Sequence, residues 1–236
     1  MTHLKPFGLL IAVLGILTVS CKNDKTEPAV IEVEETIKVE TPTEIPVTTP
    51  EEVTTKSIVY NANLVTEGEL ETLVLPSELI YKILTERPFL SMTDFDTALG
   101  DIPGKENLYR KLFVPFNLNT TAEADFKMIP GVGDRMAHEF EEYRPYSSIK
   151  QFRKEIGKYV DQEEVARYEN YVFVPVELNT ASEEDIKALP GVGDRMAHEF
   201  EEYRPYQNME QFRKEIGKYV DDKELSRLER FVYLNE

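Results

Sequence analysis

Tryptophan is absent from the 236 residues, cysteine occurs once, and histidine occurs three times. A single thiol, Cys21, excludes an internal disulfide. So few imidazoles leave little material for histidine catalysis or a histidine-rich metal site. Positive charge is scarce too: 27 Lys and Arg face 44 Asp and Glu, a formal net charge of −17. That argues against a histone-like basic coat on nucleic acid. No Ser-His-Asp, Cys-His or P-loop arrangement occurs, so a non-enzymatic chain without a cofactor is expected. What is present suffices for folding. With 41% hydrophobic and 30% charged residues, most of the chain can form a soluble globule, as one or two domains or several small ones.

One apolar run stands near the start. Phe7 to Val19 follows Lys5 and is too short for a spanning helix. Thr18-Val19-Ser20-Cys21 then resembles a bacterial lipoprotein cleavage box, with Leu17 one place earlier than in the best form of that box. The resemblance implies a signal peptide over residues 1–20 and acylation of Cys21 on its thiol and new amino terminus. Several acyl chains on one residue anchor stably where one does not. The chain would then be lipid-anchored outside the cytoplasm. Lys22 in place of Asp favours, by the same analogy, the outer membrane over the inner. An ordinary secretory peptide with a chance cysteine is the alternative. Residues 21–57 are rich in Thr, Pro and Glu, and beyond Cys21 they hold no glycine or aromatic residue. They read as a disordered acidic linker.

Beyond the linker the sequence repeats, which decides the architecture. PGVGDRMAHEFEEYRPY occupies 130–146 and, unchanged, 190–206; QFRKEIGKYVD occupies 151–161 and 211–221. A weaker copy precedes them. NLVTEGELETL at 63–73 parallels NTASEEDIKAL at 179–189, and Arg87-Pro88-Phe89 parallels Arg204-Pro205-Tyr206. Leu112-Phe113-Val114-Pro115 likewise parallels Val172-Phe173-Val174-Pro175. The expected organisation is three tandem units of about 60 residues, at 58–115, 116–175 and 176–236. A lone unit of that size is marginal, so packing against its neighbours would help it.

Within a unit the signals are helical. Thr120-Thr-Ala-Glu123 and Thr180-Ala-Ser-Glu183 read as capping boxes of short helices that stop at Pro130 and Pro190. A second helix runs from Asp194 to about Tyr203, with Met196, Ala197, Phe200 and Tyr203 on one face. Ser148 and Asn208 read as caps of a third helix, Asp161 and Asp221 as caps of a fourth. The predicted fold class is all-α, with four or five short helices per unit and almost no sheet.

The Leu-Pro-Gly-Val-Gly-x-x-x-Ala pattern, preceded by Asn-Thr-Ala and a short acidic helix, resembles the helix-hairpin-helix domain of the competence protein ComEA. The likeness spans roughly 117–175 and 177–234. It implies binding of double-stranded DNA through the phosphate backbone, without sequence preference. A physical reason stands beside it. Two glycines allow positive φ and leave backbone amides bare, and the second opens a helix whose first N–H groups lack partners. Val132 and Val192 would plug the turn into the core. Such a turn grips a phosphate and reads no base edge. The candidate phosphate-binding residues are Gly131, Gly133, Arg135, Gly191, Gly193 and Arg195. The family carries a second GxG-type hairpin where this chain has only Ile156-Gly157-Lys158 and Ile216-Gly217-Lys218. The resemblance implies that Lys158 and Lys218 would be remnants of a second clamp, and they join the candidate phosphate-binding residues.

Other features weigh against nucleic acid. Asp134 and Asp194 directly follow the turns, where a carboxylate could cap the amides and repel phosphate. Residues 116–175 hold 8 basic and 11 acidic residues, and residues 176–236 hold 9 and 15. In the first unit Val74-Leu75-Pro76-Ser77-Glu78 replaces the glycine turn, so that unit can pack but not cradle a phosphate. The competing reading is a non-catalytic helical scaffold or adaptor docking another envelope protein. His138 and His198, each with a Glu four residues on, lack the second histidine of a metal-binding helix and read as solvated. Tyr143, Tyr146, Tyr203 and Tyr206 could stack on bases of a single strand, though such tyrosines more often pin a loop to a core.

Overall fold

The computed structural model describes residues 58–235. The signal peptide, Cys21 and the linker expected before them lie outside the described residues.

The described chain holds twelve helices and six two-residue strands, with four helices between the two strands of each pair. The first span runs β1 (Tyr60–Asn61), α1 (Glu67–Thr72), α2 (Ser77–Glu86), α3 (Met92–Leu99), α4 (Lys105–Tyr109) and β2 (Leu112–Phe113). The next runs β3 (Phe116–Asn117), α5 (Glu123–Phe126), α6 (Asp134–Glu142), α7 (Ile149–Ile156), α8 (Gln162–Tyr168) and β4 (Val172–Phe173). The last runs β5 (Val176–Glu177), α9 (Glu183–Lys187), α10 (Asp194–Glu202), α11 (Met209–Ile216), α12 (Asp222–Glu229) and β6 (Val232–Tyr233). The chain is thus mostly helical. None of the described helices is long and apolar enough to cross a membrane.

The strands have a structural job that sequence did not disclose. Each span closes on itself through a parallel pair: Tyr60 opposite Leu112, Phe116 opposite Val172, Val176 opposite Val232. Leu112, Phe113, Val172 and Phe173 are buried, so these short ladders sit inside the core.

Local chemistry explains the helix starts. Ser148 and Asn208 cap α7 and α11 through the amides of Gln151 and Gln211. Asp161 and Asp221 cap α8 and α12 through Glu164 and Glu224. The capping boxes expected at Thr120 and Thr180 are corrected. Ala122 occupies the cap of α5 without a side-chain bond, and Ser182 caps α9. Thr180 lies too early and donates to Glu177 instead. The complete capping box falls in the first span, where Thr66 and Glu69 satisfy one another's amides.

A side-chain clamp recurs in all three spans. Asn179 Nδ2 donates to Tyr206 O at 2.9 Å, and Tyr206 N donates back to Asn179 Oδ1 at 2.7 Å. Asn119 with Tyr146, and Asn63 with Phe89, do the same. The arginine two residues before each aromatic adds a bond to the loop carbonyl of Val65, Leu118 or Leu178. These bonds fix the loop entering α1, α5 or α9 against the loop leaving α2, α6 or α10. Phenylalanines fill the space between. Phe140 and Phe152 lie 5.6 Å apart between ring centres, and Phe200 and Phe212 lie 5.2 Å apart, all fully buried. Each such ring contributes about 2–3 kcal/mol of burial.

Candidate nucleic-acid interface

Two turns of identical sequence join α5 to α6 and α9 to α10. Ile129 and Val132 are buried, as are Leu189 and Val192, so each turn is pinned by apolar side chains on either side of its first glycine. Gly131 has φ +86° and Gly191 φ +73°, the left-handed region where a side chain is strained. The second glycines differ from expectation. Gly133 has φ −99° and ψ −178°, and Gly193 φ −91° and ψ 179°, which is extended backbone open to any residue. Nor does a neighbour require glycine there: a Cβ added at either would meet nothing within 4 Å.

The helix starts beside these glycines carry bare backbone. Gly133 and Gly193 are the N-caps of α6 and α10, and neither helix start receives a side-chain bond. The first helical bonds run from Ala137 N to Gly133 O and from Ala197 N to Gly193 O. Among the described residues, the amides of 133–136 and of 193–196 donate to no protein acceptor. Both helices have nine residues, enough for their dipoles to favour an anion at this end.

The aspartates do not close the site. Asp194 Oδ1 lies 2.8 Å from Lys187 Nζ, and Asp134 pairs with Lys127 in the same way. Each lysine stands at the end of the preceding short helix and takes the carboxylate as its ion-pair partner, and neither helix start receives a side-chain cap. The neighbouring lysines also hold the carboxyls of Asp134 and Asp194 below the usual aspartate range.

Arg135 and Arg195 are exposed and, among the described residues, form no ion pair. The Arg135 guanidinium lies over the Tyr159 ring, 5.8 Å from its centre. Tyr159 and Tyr143 share a hydroxyl–hydroxyl bond of 2.7 Å, and Lys158 Nζ lies 4.8 Å above Tyr143. Arg135 and Lys158, which sequence treated separately, thus meet across a tyrosine pair. In the last span Lys218 sits 4.9 Å above Tyr203, which bonds Tyr219 at 2.8 Å. Lys158 and Lys218 also pair with Glu155 and Glu215. Gly157 and Gly217 have φ −61° and −60°, so no second positive-φ hairpin forms there.

Some candidates are removed. Tyr146 and Tyr206 are 1% and 3% exposed and serve the core, so they offer no face to a base. Their burial raises their hydroxyl pKa values. In the first span the turn carries Val74 at φ +58°, and Pro76 occupies the N-cap of α2 with no side-chain bond. His138 is exposed, 3.3 Å from Glu123 and 3.7 Å from Glu142, and the hydrogen bond to Glu123 raises its pKa.

Sequence missed the arginines behind the turns. Arg167 holds Glu164 through two bonds of 2.6 and 2.7 Å, and its Nη2 would touch a Cβ on Gly131 at 3.4 Å. Arg227 holds Glu224 similarly and also donates to Pro190 O at 2.5 Å. The only sequence signal was a Glu three residues before each Arg. Their surroundings differ although the turns are identical. The Arg167 side chain is 30% exposed and that of Arg227 1%. Leu64 of the first span also packs on Gly191, its Cδ1 standing where a Cβ would project.

Residues 172–233 match the family described as the helix-hairpin-helix motif, a span that takes in α9 to α12 and the 190–193 turn. A helix-hairpin-helix domain is therefore present in that part of the chain. No curated protein and no solved structure matches the chain.

Proposed function

We propose that this chain is a lipid-anchored extracytoplasmic protein that binds double-stranded DNA through its phosphates, without sequence preference. On this reading it carries ComEA-like helix-hairpin-helix units in tandem, the first degenerate, behind a signal peptide, an acylated Cys21 and a linker. It is a binding module and not an enzyme, and its role is capture or retention of DNA at the envelope. One observation carries the reading: two identical turns present amides 133–136 and 193–196 with no protein acceptor among the described residues. The match of residues 172–233 to the helix-hairpin-helix family supports it. Gly131, Gly133 and Arg135 would hold one phosphate, and Gly191, Gly193 and Arg195 another. Lys158 and Lys218 would border the path from beside the tyrosine pairs.

The acidic bulk sets the conditions. With a net charge of −17, binding must come from focused contacts and fall steeply with salt. Anisotropy of a labelled duplex titrated with the full chain at low and moderate salt tests this. Saturable, salt-sensitive binding is expected; none at low salt refutes the reading.

A scaffold or adaptor docking an envelope protein is the second reading. It is favoured by apolar side chains left open on the first span, Val74 at 90% and Tyr81 at 70% exposure. A nuclease-insensitive pull-down of a single partner, with no DNA binding, would select it.

A further inference from the structure

The first span has no glycine turn of its own, yet its α4 lies against the turn at 130–133. Glu106, Asn107, Tyr109 and Arg110 line one wall of a groove of about 430 Å³, with Lys127 and Gly131 on the other. That volume falls within the range of ligand clefts, about 300–1,000 Å³. We propose that this groove is a second phosphate subsite of the 130–133 hairpin, with Arg110 as its binding residue. The inference rests on the DNA-phosphate reading of that hairpin.

Two observations and one chemical argument carry it. Arg110 is exposed and has no carboxylate partner among the described residues, so its guanidinium is available to an anion. Lys127 joins the two places. It lines the groove and also pairs with Asp134, the first residue of α6, so the groove borders the open amides directly. The fork of an arginine also suits phosphate oxygens better than a lysine ammonium does. A backbone seated on amides 133–136 would pass Lys127 and place a neighbouring phosphate at Arg110. Glu106 is the acidic residue in the lining and sets a limit on how strongly the groove attracts.

The other hairpin lacks this extension. The residue sixty positions beyond Arg110 is Asn170 (170 − 110), a neutral side chain whose amide donates to Ala166 O at 3.1 Å and Arg167 O at 2.9 Å. Gly191 carries Leu64 on its outer side, and Arg227 is buried. Two turns of identical sequence thus become unequal, and the 130–133 hairpin is the stronger of the two.

The test compares the full chain with Arg110→Ala, Lys111→Ala and Gly133→Val, by anisotropy of a labelled duplex across a salt series. Lys111 is exposed, adjacent and basic, but it does not line the groove, so it reports generic charge loss. Arg110→Ala should weaken binding roughly 3- to 10-fold and lower the slope of log K against log salt by about one. Lys111→Ala should stay within about twofold. If Arg110→Ala matches Lys111→Ala or the parent while Gly133→Val weakens binding, the groove is no subsite and the hairpin reading stands. If the parent shows no saturable binding at low salt, both fall.

Discussion

Lys187 Nζ stands 2.8 Å from Asp194 Oδ1, and the start of α10 beside this pair receives no side-chain cap. An aspartate at the first helical position is well placed to face the amides at that helix start. Here the lysine at the end of α9 takes it as an ion-pair partner.

Replacing that lysine should therefore do more than remove one charge. Lys187→Met and Lys127→Met release Asp194 and Asp134 toward the amides, and DNA affinity should fall several-fold. Adding Asp194→Asn or Asp134→Asn to the same chain should restore most of it, whereas Glu210→Gln or Glu163→Gln, which returns the same net charge away from the turns, should not. Titration of these variants with duplex DNA checks this. The pH sign follows from the lowered aspartate pKa values. The pair's contribution to stability is present above the ordinary aspartate range and is lost as pH falls through the depressed value.

The first glycines should be conformationally irreplaceable and unequal. Gly131→Ala and Gly191→Ala each force an L residue into positive φ, at about 1–2 kcal/mol. Gly191→Ala also drives a methyl into Leu64 Cδ1, whereas Gly131→Ala meets only the tip of Arg167. Urea denaturation should show the larger loss at 191, and Leu64→Ala should recover part of it. Equal losses would show that Leu64 does not pack there.

Loss of the asparagine clamp should destabilise without touching the turns. Asn179→Ala leaves Tyr206 N and O without their partners, at about 1–3 kcal/mol. Asn179→Asp keeps the acceptor and loses the donor, so it should melt at a temperature between those of parent and alanine variant. A melting temperature unchanged in Asn179→Ala would contradict this role.

Arg227 and Arg167 should differ in energy as they differ in exposure. Arg227→Met removes a buried guanidinium that holds Glu224 and Pro190 O, at about 2–4 kcal/mol. Glu224 is itself about one-third exposed, which keeps the figure below that of a fully buried pair. Arg167→Met breaks a more solvated pair and should cost about 1 kcal/mol or less. Chemical denaturation of the two variants side by side separates them.

What could be read from sequence was local. Ser148, Asp161, Asn208 and Asp221 are caps because a short side chain reaches an amide three residues on, and that spacing shows in the letters. Thr120 and Thr180 failed because their helices start later, after a turn held by distant bonds to Arg144 and Arg204. The strand pairs were not legible. In each pair two residues, the second of them polar (Asn61, Asn117 or Glu177), meet two others more than fifty positions away, and no short-range pattern marks that. At the candidate site, the paired glycines and buried valines were visible. The extended φ of Gly133 was not, nor was the pairing of Lys187 with Asp194. The meeting of Arg135 and Lys158 over Tyr159 and Tyr143 depends on how α6 packs on the end of α7, which no motif encodes.

Amide chemical shifts of the isotope-labelled full chain, followed during titration with duplex DNA, test the central claim most directly. The account predicts the largest shifts at 133–136 and 193–196, with salt reversing them. Shifts confined to other surfaces, or none at these eight amides while DNA binds, would contradict it.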